Sequence, residues 1–192
     1  MRVNFSNLTL GLIFFSLSAC STTKMVYQPK DYQEKIKNIK RIKIMAKSSE
    51  QSSQLASLVA HISTDLIKEE KNFLIDGLKI LRGDWGKKCS ILDGVLIFTP
   101  GKIEISEEQA SLEIKAELYK CSSNELVWEG IGWDNYQITT KKSAKIEDHL
   151  KVYYERFPEA AQKFAVPVYQ IVKDLFKVMP DYPSKAESRK RQ

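Results

Sequence analysis

At 192 residues the chain is one domain of ordinary size, long enough to bury a sizeable core. It carries 30 basic and 24 acidic residues for a formal net charge of +6, with the excess gathered in Lys35, Lys37, Lys40, Arg41, Lys43 and Lys47 and again in Lys185, Arg189, Lys190 and Arg191. There is no Cys-x-x-Cys, and His61 and His149 lack ligand spacing, which sets aside a zinc or redox centre of ordinary design and leaves no metal or other cofactor to expect.

Residues 1–19 open with one basic residue, Arg2, and an apolar stretch through Leu8, Leu10, Leu12, Ile13, Phe14, Phe15 and Leu17. That is the pattern of a secretory signal peptide. The apolar core is too short for a membrane-spanning helix, which needs about 20 residues. Leu17-Ser18-Ala19-Cys20 resembles the lipobox of bacterial lipoproteins. The resemblance implies cleavage before Cys20 and a lipid on its thiol, with palmitate among the acyl chains. One chain gives only marginal membrane binding, and two or three hold a protein firmly. Ser21 in place of Asp implies sorting to the outer membrane, with the domain facing the periplasm. In an exported protein the basic clusters read first as solvated surface. Attraction to anionic lipid or cell-wall polymers is the second reading, and nucleic acid is set aside.

Ser21 to about Gln33 is polar and without a sustained period, so residues 20–37 are expected to be the lipidated Cys and a tether. The domain is then expected over 38–182. Ile42 and Ile44 alternate with Arg41 and Lys43, a half-buried strand. Leu55, Leu58, Val59, Ile62, Leu66 and Ile67 recur at helical spacing and predict a helix over about 52–71, with His61 as a rim residue. Phe73–Leu81 reads as an extended segment broken at Asp76-Gly77, and Arg82–Ser90 as a polar stretch. Val95–Phe98 is a buried strand that continues, past the Pro100-Gly101 turn signal, through Ile105. Alternation is clearest over Ser111–Cys121, where Leu112, Ile114, Ala116 and Leu118 share a face. Leu126–Trp133 returns as the partner strand of a hairpin. Gly130 and Gly132 there suggest a bulge or a close backbone approach. Residues 134–145 read as a loop, 144–157 as a helix, and the stretch from Pro158 as a longer helix with a kink or restart at Pro167. The basic tail 183–192 is read as disordered.

With Cys20 assigned to lipid, Cys89 and Cys121 form an even pair, which outside the cytoplasm favours a disulfide over two buried thiols. The expected architecture is a mixed α/β domain: a central, mixed, largely antiparallel sheet of about five strands, covered by helices and closed by a long C-terminal helix.

Asn124-Glu125-Leu126-Val127-Trp128-Glu129-Gly130, Asp93-Gly94-Val95-Leu96 and Leu175-Phe176-Lys177-Val178-Met179-Pro180 resemble a layout shared by small envelope lipoproteins. That group includes the curli-secretion lipoprotein and the penicillin-binding-protein activator lipoproteins. The resemblance spans about 38–182 and implies the fold. The stretch 134–157 lacks the alternating hairpins of about 9–11 residues per strand that a membrane barrel needs, which argues against a pore. No nucleophile elbow, zinc motif, P-loop or dinucleotide fingerprint occurs, and Glu107-Glu108 reads as a solvated turn. The sequence therefore points to a non-catalytic, membrane-anchored adaptor or assembly factor with a protein partner in the periplasm. Trp133 and Tyr136 are its candidate partner-binding aromatics. A ligand-binding auxiliary of an envelope transporter is the alternative, with an apolar pocket near Phe164, Val168, Ile171 and Phe176. A multimeric secretion element comes third.

Overall fold

The computed structural model describes residues 22–48, 53–83, 85, 89, 91–138 and 144–183. The strands are β1 (Thr22–Tyr27), β2 (Arg41–Lys47), β3 (Leu74–Leu81), β4 (Gly94–Ile105), β5 (Gln109–Lys120) and β6 (Glu125–Gln137). The helices are α1 (Tyr32–Ile36), α2 (Ser53–Glu70), α3 (Ala144–Arg156) and α4 (Pro158–Val178). All six strands form one mixed sheet in the order β1-β6-β5-β4-β2-β3. The β2–β3 and β2–β4 pairs are parallel, and the other three are antiparallel.

Side-chain period decides which face each strand residue serves. Ile42, Ile44 and Ala46 of β2, Leu96 and Phe98 of β4, and Leu112, Ile114, Ala116 and Leu118 of β5 point to one face and join the main core. Leu58, Val59, Ile62 and Ile67 of α2 and Phe164, Val168, Ile171 and Leu175 of α4 close that face, as their helical spacing demands. α4 lies close on β6 because β6 has glycines there. A Cβ on Gly132 would sit 2.5 Å from Ile171 Cγ2, and one on Gly130 would sit 2.9 Å from Leu175 Cδ2. Of the two expectations for these glycines, the close approach is the one found.

The N-terminal segment differs from expectation. Of the segment 20–37 expected to be a tether, the described part is not one, because Thr22–Tyr27 is strand β1 on the outer edge of β6, with Thr22 opposite Trp133 and Thr23 opposite Gly132. Thr, Val and Tyr suit a strand, but six residues cannot hold one alone. It is the open edge of β6 that satisfies their backbone groups. The sheet thus has six strands rather than five, and the domain begins at Thr22 rather than 38. From β1 the chain crosses the far end of the sheet through α1, where Lys35 pairs with Asp31 and Glu125. It then enters β2 beside Asp93, whose carboxylate accepts the Lys40 and Arg41 backbone N–H groups at 3.1 and 2.7 Å.

Three smaller differences have equally local causes. β6 continues to Gln137, into the expected loop, because β5 extends back to Gln109 and supplies a partner for every added residue. α4 runs unbroken from Pro158 to Val178 with Pro167 inside and buried, its apolar face held on the sheet by packing. Asp76-Gly77 is a bulge rather than a break. The register with β2 gains a residue there, and Gly77 takes φ +87°, which a side chain would disfavour. Residues 1–21, which include the signal segment and Cys20, and the tail from 184 lie outside the described residues.

Candidate functional site

The strand pairings place several chain ends together. β2, β3 and β4 run parallel, β5 opposes β4, β6 opposes β5, and β1 opposes β6. The start of β1, the end of β6, the β4–β5 turn and the ends of β2 and β3 therefore share one end of the sheet. The α2 N-terminus follows β2 there. This end carries the chain's link to Cys20.

At the β1 corner, Trp133 is 42% exposed and Met25, Val26 and Tyr27 are also largely exposed. Tyr136, the second expected partner-binding aromatic, is buried at 8% exposure and belongs to the main core. The two residues are three apart on a strand of period two, so they face opposite sides of the sheet and cannot form one surface. Only Trp133 remains available to a partner.

On the face away from the helices, Met45, Leu81, Val95, Ile97 and Cys121 form a small second cluster, with Trp85, Cys89, Leu92 and Tyr119 against it. Cys89 and Cys121 are disulfide-bonded, with Cα atoms 5.5 Å apart and a sequence separation of 32. The bond holds Cys89 over the outer face, where Trp85 and Tyr119 rings meet at 5.6 Å. Among the described residues the cluster does not extend beyond β5, and on the β1–β6 part of that face Trp133 is exposed.

An open cleft of about 530 Å³ lies beyond the ends of β2 and β3. Ser48, Ser53, Ser57, Arg82, Arg156 and Pro158 line it, with Gln54, Ile80 and Phe157. Neither arginine is paired with a carboxylate among the described residues. The first turns of α2 and α4 and the last turn of α3 reach the cleft, so the negative end of α3 offsets the positive end of α4 and leaves that of α2 beside the two guanidinium groups. Arg156 stacks on the Phe157 ring at 5.5 Å, and its Nη1 lies 3.4 Å from His61 Nδ1. Burial and the Arg156 charge both hold the His61 pKa below its usual value. His61 is thus a neutral rim residue that steadies Arg156. Arg82 and Arg156 escaped the sequence reading because they are far apart in the chain. The Ser-rich start of α2 after a strand was the only hint.

The apolar pocket expected beside Phe164, Val168, Ile171 and Phe176 is filled by packing. Phe176 meets the Phe98 ring edge-on at 6.2 Å, and Ile171 lies against Gly132. Asp134 of β6 is fully buried on the helix face, and neither carboxylate oxygen has a hydrogen-bond partner among the described residues. Burial raises its pKa, with the Asn135 backbone opposing and the Asp174 charge adding to the rise. Among the described residues no group of His, Cys, Asp and Glu could hold a metal, and no helix is long and apolar enough to cross a membrane.

No family model matches the chain, and no curated protein matches it in sequence. Among solved structures, the chain is similar to the PelC dodecamer from Paraburkholderia phytofirmans at 10% identity and a TM-score of 0.47, over 80% of this chain and 96% of that one. It is similar to lipoprotein GNA1162 from Neisseria meningitidis at 11% identity and a TM-score of 0.42, over 62% of this chain and 99% of that one. A DUF330-family protein from Xanthomonas campestris matches at 10% identity and a TM-score of 0.44, over 72% of this chain and 81% of that one. Each is a likeness of chain trace at about a tenth identity, and none bears on what this chain binds.

Proposed function

We propose that the chain is a non-catalytic lipoprotein of the bacterial envelope, anchored in the outer membrane through Cys20, that holds its α/β domain at the membrane for a protein partner in the periplasm. One observation carries this reading: a single residue, Ser21, separates the lipobox cysteine from the first strand. Two residues span about 7 Å at full extension. A lipid on Cys20 therefore sets the domain beside the head groups rather than on a leash, and confinement of that kind raises its effective concentration toward a membrane-associated partner. The edge strand β3 is the surface best suited to that partner. Among the described residues no strand pairs with its outer backbone groups, and Leu74 is exposed on it.

Mass spectrometry of the mature N-terminal peptide, joined to crosslinking in living cells and affinity purification, tests the proposal. The expected result is acylated Cys20 and one abundant envelope partner that is lost in Cys20→Ala. An unmodified Cys20 defeats the anchor. No specific partner, under conditions that recover a known envelope complex, defeats the adaptor role.

A further inference from the structure

The strand registers make a step where the arginine-lined cleft lies. β2 pairs with β4 only as far as Ala46 and Phe98, whereas β4 continues with β5 to Ile105 and Ala110. The cleft is therefore recessed: it opens where β2 and β3 stop, and the β4–β5 hairpin runs on past it. Arg82 enters it from the end of β3 and Arg156 from the last turn of α3, and Ser53 and Gln54 of the first turn of α2 form a third wall. Among the described residues neither guanidinium is paired with a carboxylate. Two like charges lining one cleft repel, and an anion between them replaces repulsion with attraction. Arg156 is already held in place, by the Phe157 ring 5.5 Å from its Cζ and by His61 Nδ1 3.4 Å from its Nη1. A guanidinium fixed in this way loses little freedom when it grips an oxyanion.

We propose that this cleft binds the phosphate group of a small, soluble organic phosphate. A tetrahedral phosphate presents oxygens in several directions and can meet donors from three walls at once, whereas a carboxylate offers two oxygens in one plane. The cleft, at about 530 Å³, has the size of a small-molecule site and more room than a bare phosphate fills. Ile80, Phe157 and Pro158 give the organic body an apolar wall. A flat bilayer or a long polyanion meets the hairpin first, and its turn carries the exposed carboxylates of Glu107 and Glu108. At about 3.3 Å per residue the strand covers about 20 Å from Thr99 to Ile105. That exceeds the screening length of about 8 Å at physiological salt, so those carboxylates leave the recess itself positive. Nearer by, Glu159 in the first turn of α4 and the negative end of α3 work against an anion. The two arginines must therefore carry the affinity. His61 reports on occupancy. Burial and then the Arg156 charge hold its pKa down, with Lys68 assisting and Asp65 opposing. A phosphate on Arg156 offsets that charge, so His61 should titrate at higher pH when the cleft is filled. The site requires nothing of Cys20, and the proposed function stands or falls separately from it.

The test titrates the full chain, in a neutral detergent, with inorganic phosphate and then with glycerol 3-phosphate at millimolar concentration, read by calorimetry and by the His61 ring resonances. The expected result is saturable binding, tighter for glycerol 3-phosphate, with the His61 titration moved to higher pH. Arg82→Gln/Arg156→Gln should weaken binding at least about tenfold, the worth of a charge-assisted contact. Both arginines are exposed, so that variant should keep its fold. Lys37→Gln/Lys40→Gln removes the same charge from exposed positions at the other end of β2 and should bind like wild type. Arg82→Lys/Arg156→Lys keeps the charge without the planar fork and should fall between the two. No saturable response to either probe, binding that leaves the His61 titration unmoved, or an equal loss in the arginine and lysine pairs overturns the site. A response confined to phosphatidylglycerol added to the detergent overturns the soluble ligand.

Discussion

The two faces of this sheet are built on different principles. The helix face is closed by α2 and α4 over a continuous core, with glycines at 130 and 132 bringing backbone and helix together. The outer face has a five-residue cluster with Trp85, Cys89, Leu92 and Tyr119 against it, fastened by the Cys89–Cys121 bond, and no further apolar cluster there among the described residues. Two packed layers can supply a core by burial alone, whereas one loop on one face cannot, so a covalent link takes over where apolar contact runs short.

Breaking the outer face should have the largest effect. In the chain-entropy model a loop of about 32 residues makes the disulfide contribute roughly 3–4 kcal/mol. Cys89→Ser/Cys121→Ser should lower the urea midpoint accordingly. Hydrogen exchange should show the segment before Asp93 opening first while α2 and α4 stay protected. An undiminished midpoint would mean that the small cluster holds the segment unaided.

Gly132→Ala probes the helix face. The added carbon meets Ile171, so a loss of about 1–3 kcal/mol is expected in equilibrium unfolding. A neutral outcome would show that α4 can slide on the sheet. Asp134→Asn should act in the opposite direction. Its carboxylate is buried with a raised pKa, so the folded state binds protons more readily than the unfolded one. The resulting penalty is absent at acid pH and grows as pH rises from the unfolded pKa through the folded one. Removing the charge at pH 7 should gain about 1–3 kcal/mol, with little change near pH 3.

His61 gives a smaller effect of opposite sign. Its folded pKa lies below the usual 6.5, so the unfolded state binds the proton more tightly. Stability should be full above that value and fall as pH drops through it, levelling off below the folded pKa. A urea-midpoint profile from about pH 8 to pH 5 should flatten in His61→Gln. The smallest effect belongs to Trp133→Ala, where stability should change by less than about 0.5 kcal/mol, the range usual for exposed substitutions. A larger loss would mean that the bare face packs against something in the isolated domain.

Local pattern made much of the domain legible. Alternation along Ser111–Cys121 marked β5 and its buried face, and the spacing of Leu55, Val59, Ile62 and Leu66 marked α2, because a single strand or helix face leaves its own period in the sequence. The cysteine pairing was also readable from compartment and parity. Of the candidate site, only Trp133 was. Grouping it with Tyr136 overlooked the strand period, which the expected end of β6 at Trp133 had hidden.

By itself, then, the sequence determined the hairpin, the helices and the mixed α/β class, since each rests on residues near one another in the chain. Only the tertiary structure decided that Thr22–Tyr27 is a strand, that Tyr136 is buried, and that Arg82 and Arg156 share a cleft at the end of the sheet that starts at Thr22. An edge strand is stabilised by hydrogen bonds to a partner more than a hundred residues away, and a cleft between chain ends belongs to no segment. Neither leaves a periodicity behind, so the edge strand and the cleft arise from the packing of remote parts.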